Sequence, residues 1–132
     1  MESVWEFKVR FAETDAAGIV YYPNFYKWMD QATHEMFSRM GMSTNKLLKE
    51  NKGIPLVEAF CQFKHALHFE DMVKVVSVVS EVKNKVFKIV HTLYLGDIVA
   101  AEGYETRVWI DSTDGTLKAV PISDELRAIL LA

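Results

Sequence analysis

Hydrophobic and polar residues alternate at the start of the chain. Trp5, Phe7, Val9 and Phe11 fall on one side and Glu6, Lys8 and Arg10 on the other, which predicts a strand over residues 4–11 with one buried face. The period then changes. Phe25, Trp28, Met29, Ala32, Met36, Phe37 and Met40 recur at helical spacing. Pro23 suits a first helical position, where its fixed φ and missing N–H do no harm, and Gly41 supplies a C-terminal stop. A helix is therefore expected from Pro23 to about Met40, and its apolar face is broad enough to leave it nearly buried. Ser43 to Asn51 reads as a short second helix capped by Ser43 or Thr44.

From Ile54 onward the pattern is that of strands. Val57, Ala59, Cys61, Phe63, Leu67 and Phe69 share one parity, interrupted at His65. Val73 to Val82 is rich in β-branched residues and predicts a central strand. Lys83-Asn84-Lys85 is a turn candidate. Val86 to Leu95 and Ile98 to Ile110 are two further strands joined at Gly96-Asp97. A polar turn over Asp111 to Gly115 follows, and Ser123 caps a terminal helix with Asp124 and Glu125 in its first turn. A strand, a long helix, a short helix and then four long strands argue for an α+β fold with an antiparallel sheet. No linker, low-complexity tract or repeat divides the chain, so one domain over residues 1–132 is expected.

Half of the 132 residues are hydrophobic and a quarter are charged, an ordinary soluble composition. The net charge of −3 argues against a nucleic-acid partner, which usually selects a basic excess. No apolar run reaches the length of a membrane span, and no basic region followed by an apolar run opens the chain. The single cysteine, Cys61, rules out an internal disulfide framework and suits a reducing compartment. A cytoplasmic protein is expected.

The segment with the most chemistry is Phe11-Ala-Glu-Thr-Asp-Ala-Ala-Gly-Ile-Val-Tyr-Tyr-Pro-Asn-Phe25. Asp15 sits in a small-residue turn between the first strand and the long helix. Free backbone N–H groups and the helix dipole near a helix N-terminus favour an ionised carboxylate and can polarise a neighbouring carbonyl oxygen. An Asx-turn role is the ordinary alternative for an Asp in such a turn. Glu13 is expected to be solvated. Asp30, on the long helix, can contact a ligand, be paired, or sit exposed at the helix edge.

The stretch resembles the active-site segment of the hotdog-fold acyl-CoA thioesterases of the 4-hydroxybenzoyl-CoA thioesterase type. The match is close at Phe11, Asp15, Ala17-Gly18-Ile19-Val20, Tyr22-Pro23-Asn24 and Trp28-Met29-Asp30, and weaker similarity extends to Glu81 through Phe87. The resemblance implies a sheet wrapped around one long helix, a homodimer or homotetramer, and an acyl-CoA site between subunits. It implies that Asp15 is the nucleophile or general base and that the Tyr22 backbone N–H polarises the thioester carbonyl. It also places Lys83, Asn84, Lys85 and Lys118 where basic residues contact the nucleotide of coenzyme A; in such a site the ligand contact open to Asp30 is the acyl end of the substrate. Asn84 stands where those enzymes carry a second arginine, and lysines replace arginines, so phosphate is neutralised without a bidentate fork. Related Tol-Pal-associated hotdog enzymes have a His where this chain has Tyr22, so the chain sides with the hydroxybenzoyl type.

His34 is expected on the long helix and His65, His68 and His91 in strands. Their spacing is not that of a metal site, and each reads as structural or superficial. Cys61 lies on an apolar parity without a partner for catalysis. Hydrolysis in this scheme needs no cofactor and no metal. The substrate class is an acyl-CoA, aromatic by resemblance, although Ile54 stands where a polar residue would help hold a phenol hydroxyl. An aliphatic acyl-CoA or acyl-carrier-protein thioesterase and a non-catalytic acyl-CoA-binding module are the alternatives. A hydratase is disfavoured because the motif holds no His.

Overall fold

The first strand stops early because Glu13 reaches back. In the computed structural model, which describes residues 1–132, β1 runs Glu2–Lys8 and does not continue to Phe11. The Arg10 N–H donates to Glu13 Oε1 at 2.8 Å and closes a 3-10 turn over Phe11–Glu13. Phe11 is consequently turned outward, 73% exposed, with its ring edge-on to Phe69 at 5.7 Å.

The helices follow the expected punctuation. Helix α1 spans Pro23–Arg39, and Gly41 adopts the left-handed conformation (φ +77°) that ends it. Helix α2 spans Thr44–Lys49, with the Ser43 hydroxyl accepting the Lys46 N–H. The strands β2 (Lys52–Gly53), β3 (Leu56–Phe63), β4 (Met72–Val82), β5 (Val86–Leu95), β6 (Ile98–Val108), β7 (Ile110–Asp111) and β8 (Lys118–Ala119) precede α3, Asp124–Leu131. Ser123 caps α3 by accepting the Leu126 N–H. No helix is long and apolar enough to cross a membrane.

The five long strands form one antiparallel sheet in the order β1-β4-β5-β6-β3. A small sheet, β2-β7-β8, was not foreseen from the sequence. The register lines up Trp5, Val75, Leu93, Ala101 and Phe63 across the large sheet. Helix α1 lies across this face and buries Phe25, Trp28, Met29, Ala32, Met36 and Phe37 against it. Each of the large side chains among these contributes about 1.5–3 kcal/mol on burial. Helix α3 covers the far end of the same face with Leu126 and Leu130. The result is the sheet wrapped around one helix expected of the hotdog fold.

Gly103 explains how closely helix and sheet approach. A Cβ there would stand 2.3 Å from the Phe60 carbonyl oxygen and 2.8 Å from Met29 Sδ. Two details differ from the sequence reading. The chain leaves the sheet after Phe63, where the Lys64 and His65 N–H groups share the Ala100 carbonyl, so His65 and His68 lie in a loop and not in strands. Strand β3 is an edge, so its apolar Leu56, Val57, Phe60 and Phe63 remain exposed.

Candidate active site

The Asp15 turn is a small hairpin in its own right. Thr14 bridges Val20, the Asp15 N–H donates to the Ile19 carbonyl at 2.9 Å, and the Gly18 N–H donates to the Asp15 carbonyl at 2.9 Å. Gly18 carries the positive φ of +81° that this reversal requires. Asp15 is exposed. Its Oδ1 accepts the Ala17 N–H at 2.9 Å, the Asx-turn bond, and Oδ2 has no protein partner. One oxygen thus holds the turn while the other faces outward.

Tyr22 precedes Pro23 at the helix start. It is 58% exposed, and no side chain caps the helix there. Its carbonyl accepts the Phe25 N–H, whereas its own N–H is bonded to nothing. Without an intrahelical acceptor, the Tyr22 N–H is a free donor at the positive end of α1. The hairpin brings it to the same end of the molecule as Asp15: the Tyr21 N–H donates to the Glu13 carbonyl at 2.9 Å. An open apolar recess of about 380 Å³ lies alongside, lined by Tyr22, Phe25, Phe63 and Leu67 among others. The Phe63 ring is 5.0 Å from Phe25 and 6.1 Å from Tyr22.

Glu13 is not solvated. It is 6% exposed, and its Oε2 accepts the Trp28 indole N–H at 2.9 Å. Burial opposes its charge, but the Arg10 backbone N–H, the Trp28 N–H and the Arg10 guanidinium outweigh that and hold its carboxyl below the usual range.

Asp30 lies near the middle of α1, half-exposed and paired. Arg107 Nη2 donates to its Oδ1 at 2.7 Å, and His34 Nε2 is 3.4 Å from the same oxygen. Behind it runs a buried polar network that the sequence reading missed. Arg107 Nη2 also donates to Glu105 Oε2 at 2.9 Å, and Arg107 Nη1 to the Ile54 carbonyl at 3.0 Å. The Thr33 hydroxyl donates to Glu105 Oε1, His91 Nε2 lies 3.2 Å from that oxygen, and His91 Nδ1 lies 2.7 Å from Ser77 Oγ. Burial opposes ionisation of Glu105, but His91, Arg107 and Thr33 together bring its carboxyl down to about 2. Ser77, His91 and Glu105 are each at most 1% exposed, so this hydroxyl–imidazole–carboxylate series is sealed from substrate and braces the core. Its signal in the sequence was two charges, Glu105 and Arg107, on the inward parity of β6. Arg107, His34, Leu47, Leu48 and Ile54 line a second cavity of about 320 Å³ beside this part of α1.

The proposed nucleotide contacts lie elsewhere. Lys83, Asn84 and Lys85 form an exposed turn after β4, where Lys83 Nζ is 3.5 Å from Glu81 Oε1 and the Asn84 carbonyl accepts the Ile122 N–H at 2.8 Å. Lys118 pairs with Asp114 and lowers its pKa. The Asp15 hairpin leaves the sheet near the start of β4, where the Val9 N–H donates to the Asp71 carbonyl. The 11 residues of β4 separate the two places by roughly 35 Å at about 3.3 Å per residue. One copy of the chain therefore carries Asp15 and Tyr22 on one hairpin at one end of the sheet, with Asp30 further along α1 and the lysines at the far end of β4. Cys61 is buried and its thiol is pushed up to about 11 by that burial, which removes it as a nucleophile. No group of three or more His, Cys, Asp or Glu is arranged to hold a metal ion.

The family model described as the thioesterase-like superfamily matches residues 9–130. The chain is similar to the solved gentisyl-coenzyme A thioesterase, with 41% identity, 98% of this chain and 100% of that one covered, and a TM-score of 0.88. It is 24% identical over 123 residues to the 4-hydroxybenzoyl-CoA thioesterase of Pseudomonas sp. strain CBS-3, covering 87% of each chain. The 1,4-dihydroxy-2-naphthoyl-CoA thioesterase from Synechocystis shares the fold at a TM-score of 0.89 and 20% identity, with 99% of this chain and 96% of that one covered.

Proposed function

The chain belongs to the thioesterase-like superfamily and is a thioester hydrolase, and from that premise we propose that it cleaves aromatic acyl-CoA thioesters with Asp15 and the Tyr22 N–H. The observation that carries this reading is the pairing of a carboxylate oxygen without a protein partner on the Asp15 turn with an unbonded N–H at the uncapped start of α1. The Tyr22 N–H would donate to the thioester carbonyl oxygen and stabilise the charge that grows there. Asp15 would either attack the carbonyl carbon, displacing the CoA thiolate and leaving an anhydride for water to open, or take a proton from the attacking water. Either way the C–S bond breaks and water supplies the oxygen and protons of the free acid and thiol. The relatives that act on gentisyl-CoA and 4-hydroxybenzoyl-CoA support an aromatic acyl group.

The acyl end and the nucleotide end require further copies of the chain. We place the site between subunits of a homodimer or homotetramer in the cytoplasm. The exposed apolar edge strand β3 supports edge-to-edge pairing of two sheets. Antiparallel pairing of β3 with its copy sets the Phe63 end of one chain, with its Asp15 turn, beside the Leu56 end of the other, where Asp30 and the second cavity lie. Lys83, Asn84, Lys85 and Lys118 would meet the phosphates from a neighbouring copy. One observation favours a carrier-protein substrate as the second reading: Lys83 and Lys118 already pair with Glu81 and Asp114, which weakens the set as a phosphate site.

The test is thiol release from 4-hydroxybenzoyl-, benzoyl-, phenylacetyl-, butyryl- and lauroyl-CoA by the parent and by Asp15→Asn. Turnover of the aromatic thioesters, lost in the variant, is expected. Parent-like turnover by Asp15→Asn would refute the assignment, and preference for lauroyl-CoA would refute the aromatic class.

A further inference from the structure

We infer that Glu13 is a positioning residue that sets the Tyr22 N–H and the Asp15 turn against α1; the inference rests on the thioesterase reading above. Every acceptor of Glu13 is used. Its Oε1 takes the Arg10 N–H at 2.8 Å, and its Oε2 takes the Trp28 indole N–H at 2.9 Å and Arg10 Nη2 at 3.4 Å. Its backbone carbonyl takes the Tyr21 N–H at 2.9 Å and Asn24 Nδ2 at 3.0 Å. Tyr22 and Pro23 lie between those last two donors. A single carbonyl thus brackets Tyr22 from both sides and fixes the direction in which its N–H points.

The side chain anchors that carbonyl in turn. Trp28 is 1% exposed, wedged between Phe7 at 4.6 Å and Phe25 at 5.2 Å, so its indole N–H is a rigid post in the helix–sheet core. The carboxylate tied to it holds residue 13 in place, and Asp15 follows two residues later, at the end of a hairpin whose base is the Thr14–Val20 bridge. Glu13 itself is 6% exposed and does not line the recess beside Tyr22, so it acts through Asp15 and Tyr22 and does not touch substrate. Errors of about 1 Å in such geometry cost about a hundredfold in rate. That is a reason to tie the turn to a buried indole and not to leave it on solvent-exposed bonds.

Glu13→Gln keeps the shape but presents an amide N–H₂ to one of two donors, so either the Arg10 or the Trp28 bond fails. We expect kcat on the preferred aroyl-CoA to fall at least tenfold with KM within threefold, in a protein that melts cooperatively. Trp28→Phe, which removes the indole donor together with one ring of the packed side chain, should move kcat the same way by a smaller factor, and it decides the matter if Glu13→Gln does not fold. The second readout is the carbonyl stretch of aroyl-CoA bound intact to Asp15→Asn. The Tyr22 N–H should shift it to lower frequency there, and adding Glu13→Gln should abolish most of that shift at an unchanged dissociation constant. A purely structural role would leave the shift alone. A kcat within twofold of the parent in both variants, or an undiminished shift in the double variant, overturns the positioning role while leaving Asp15 in place. Parent-like turnover by Asp15→Asn alone overturns the reaction assignment and the inference with it.

Discussion

Replacing Arg107 with methionine should expose what the buried network contributes. The guanidinium is 4% exposed at its side chain, and it donates to both oxygens of Glu105, to Asp30 and to the Ile54 carbonyl. Methionine fills similar space and leaves Glu105, itself 1% exposed, with Thr33 and His91 only. Stranding one partner of a buried ion pair costs about 3–5 kcal/mol. The fall of the Glu105 carboxyl from 4.5 to about 2 is the joint effect of His91, Arg107 and Thr33 against its burial, about 3 kcal/mol in all at about 1.4 kcal/mol per pH unit.

The sign with pH follows from the direction of each shift. In the parent, a depressed carboxyl stabilises the fold above its ordinary value of 4.5, and that contribution is lost as pH falls toward about 2. In Arg107→Met, burial without the guanidinium pushes the carboxyl up, so the cost is full at pH 7 and is relieved as acid neutralises Glu105. The assay is thermal unfolding by circular dichroism at pH 7 and pH 4, at one protein concentration because assembly would shift the midpoint. The variant should melt about 10–15 °C below the parent at pH 7, at about 3 °C per kcal/mol for a domain of this size, with a smaller gap at pH 4. Adding Glu105→Gln to Arg107→Met should restore more than half of the loss. A gap under about 3 °C at pH 7, or one that widens at pH 4, would refute the reasoning.

Two predictions concern assembly. If the Asp15 turn and the Asp30 cavity meet only across β3, then mixing and refolding Asp15→Asn with Asp30→Asn chains should regenerate about a quarter of parental thiol release, because half of the random dimers carry one intact site of two. Activity no greater than the sum of the two variants would place both residues in one subunit's site or remove Asp30 from it. Lys83→Ala combined with Lys85→Ala should raise KM for the CoA thioester about tenfold, with a weaker salt dependence, and leave the matching N-acetylcysteamine thioester nearly unchanged; equal effects on both would exclude phosphate contacts at that turn.

Much of this molecule was legible because its local signals agree with its packing. Pro23, the apolar face from Phe25 to Phe37, and Gly41 mark α1 to within a residue of its end. The β-branched run before Lys83 and the Gly96-Asp97 hairpin mark β4, β5 and β6 just as plainly. The Asp15 turn could be read because its small residues and Gly18 demand a reversal at that point. Glu13 could not, since its burial depends on an indole fifteen residues away. The same holds for Glu105 and Arg107. Their inward parity on β6 was visible, but their partners Thr33, His91 and Asp30 come from α1 and β5, and only the sheet register brings them into reach.

The length of β4 bears directly on how the lysines can act. A thioester and its nucleotide belong to one substrate molecule, yet the Asp15 turn and the Lys83–Lys85 turn sit at opposite ends of an 11-residue strand. Folding does not shorten that distance, because β4 is paired along its length with β1 and β5 and has no freedom to bend the two turns together. If both ends serve one substrate, they do so in different copies, and the assembly then carries the catalytic geometry. The sheet has two edges, β1 and β3, where a copy can add without disturbing an existing ladder, and β3 is the one that exposes several large apolar side chains, Leu56, Val57, Phe60 and Phe63. Under this arrangement, a substitution that blocks β3 pairing would silence an otherwise intact Asp15 turn. Val57→Pro, at an exposed edge position that the β3–β6 register skips at a bulge, should therefore yield a folded monomer with no turnover. A monomeric variant that still hydrolyses aroyl-CoA at the parental rate would return the whole site to a single chain.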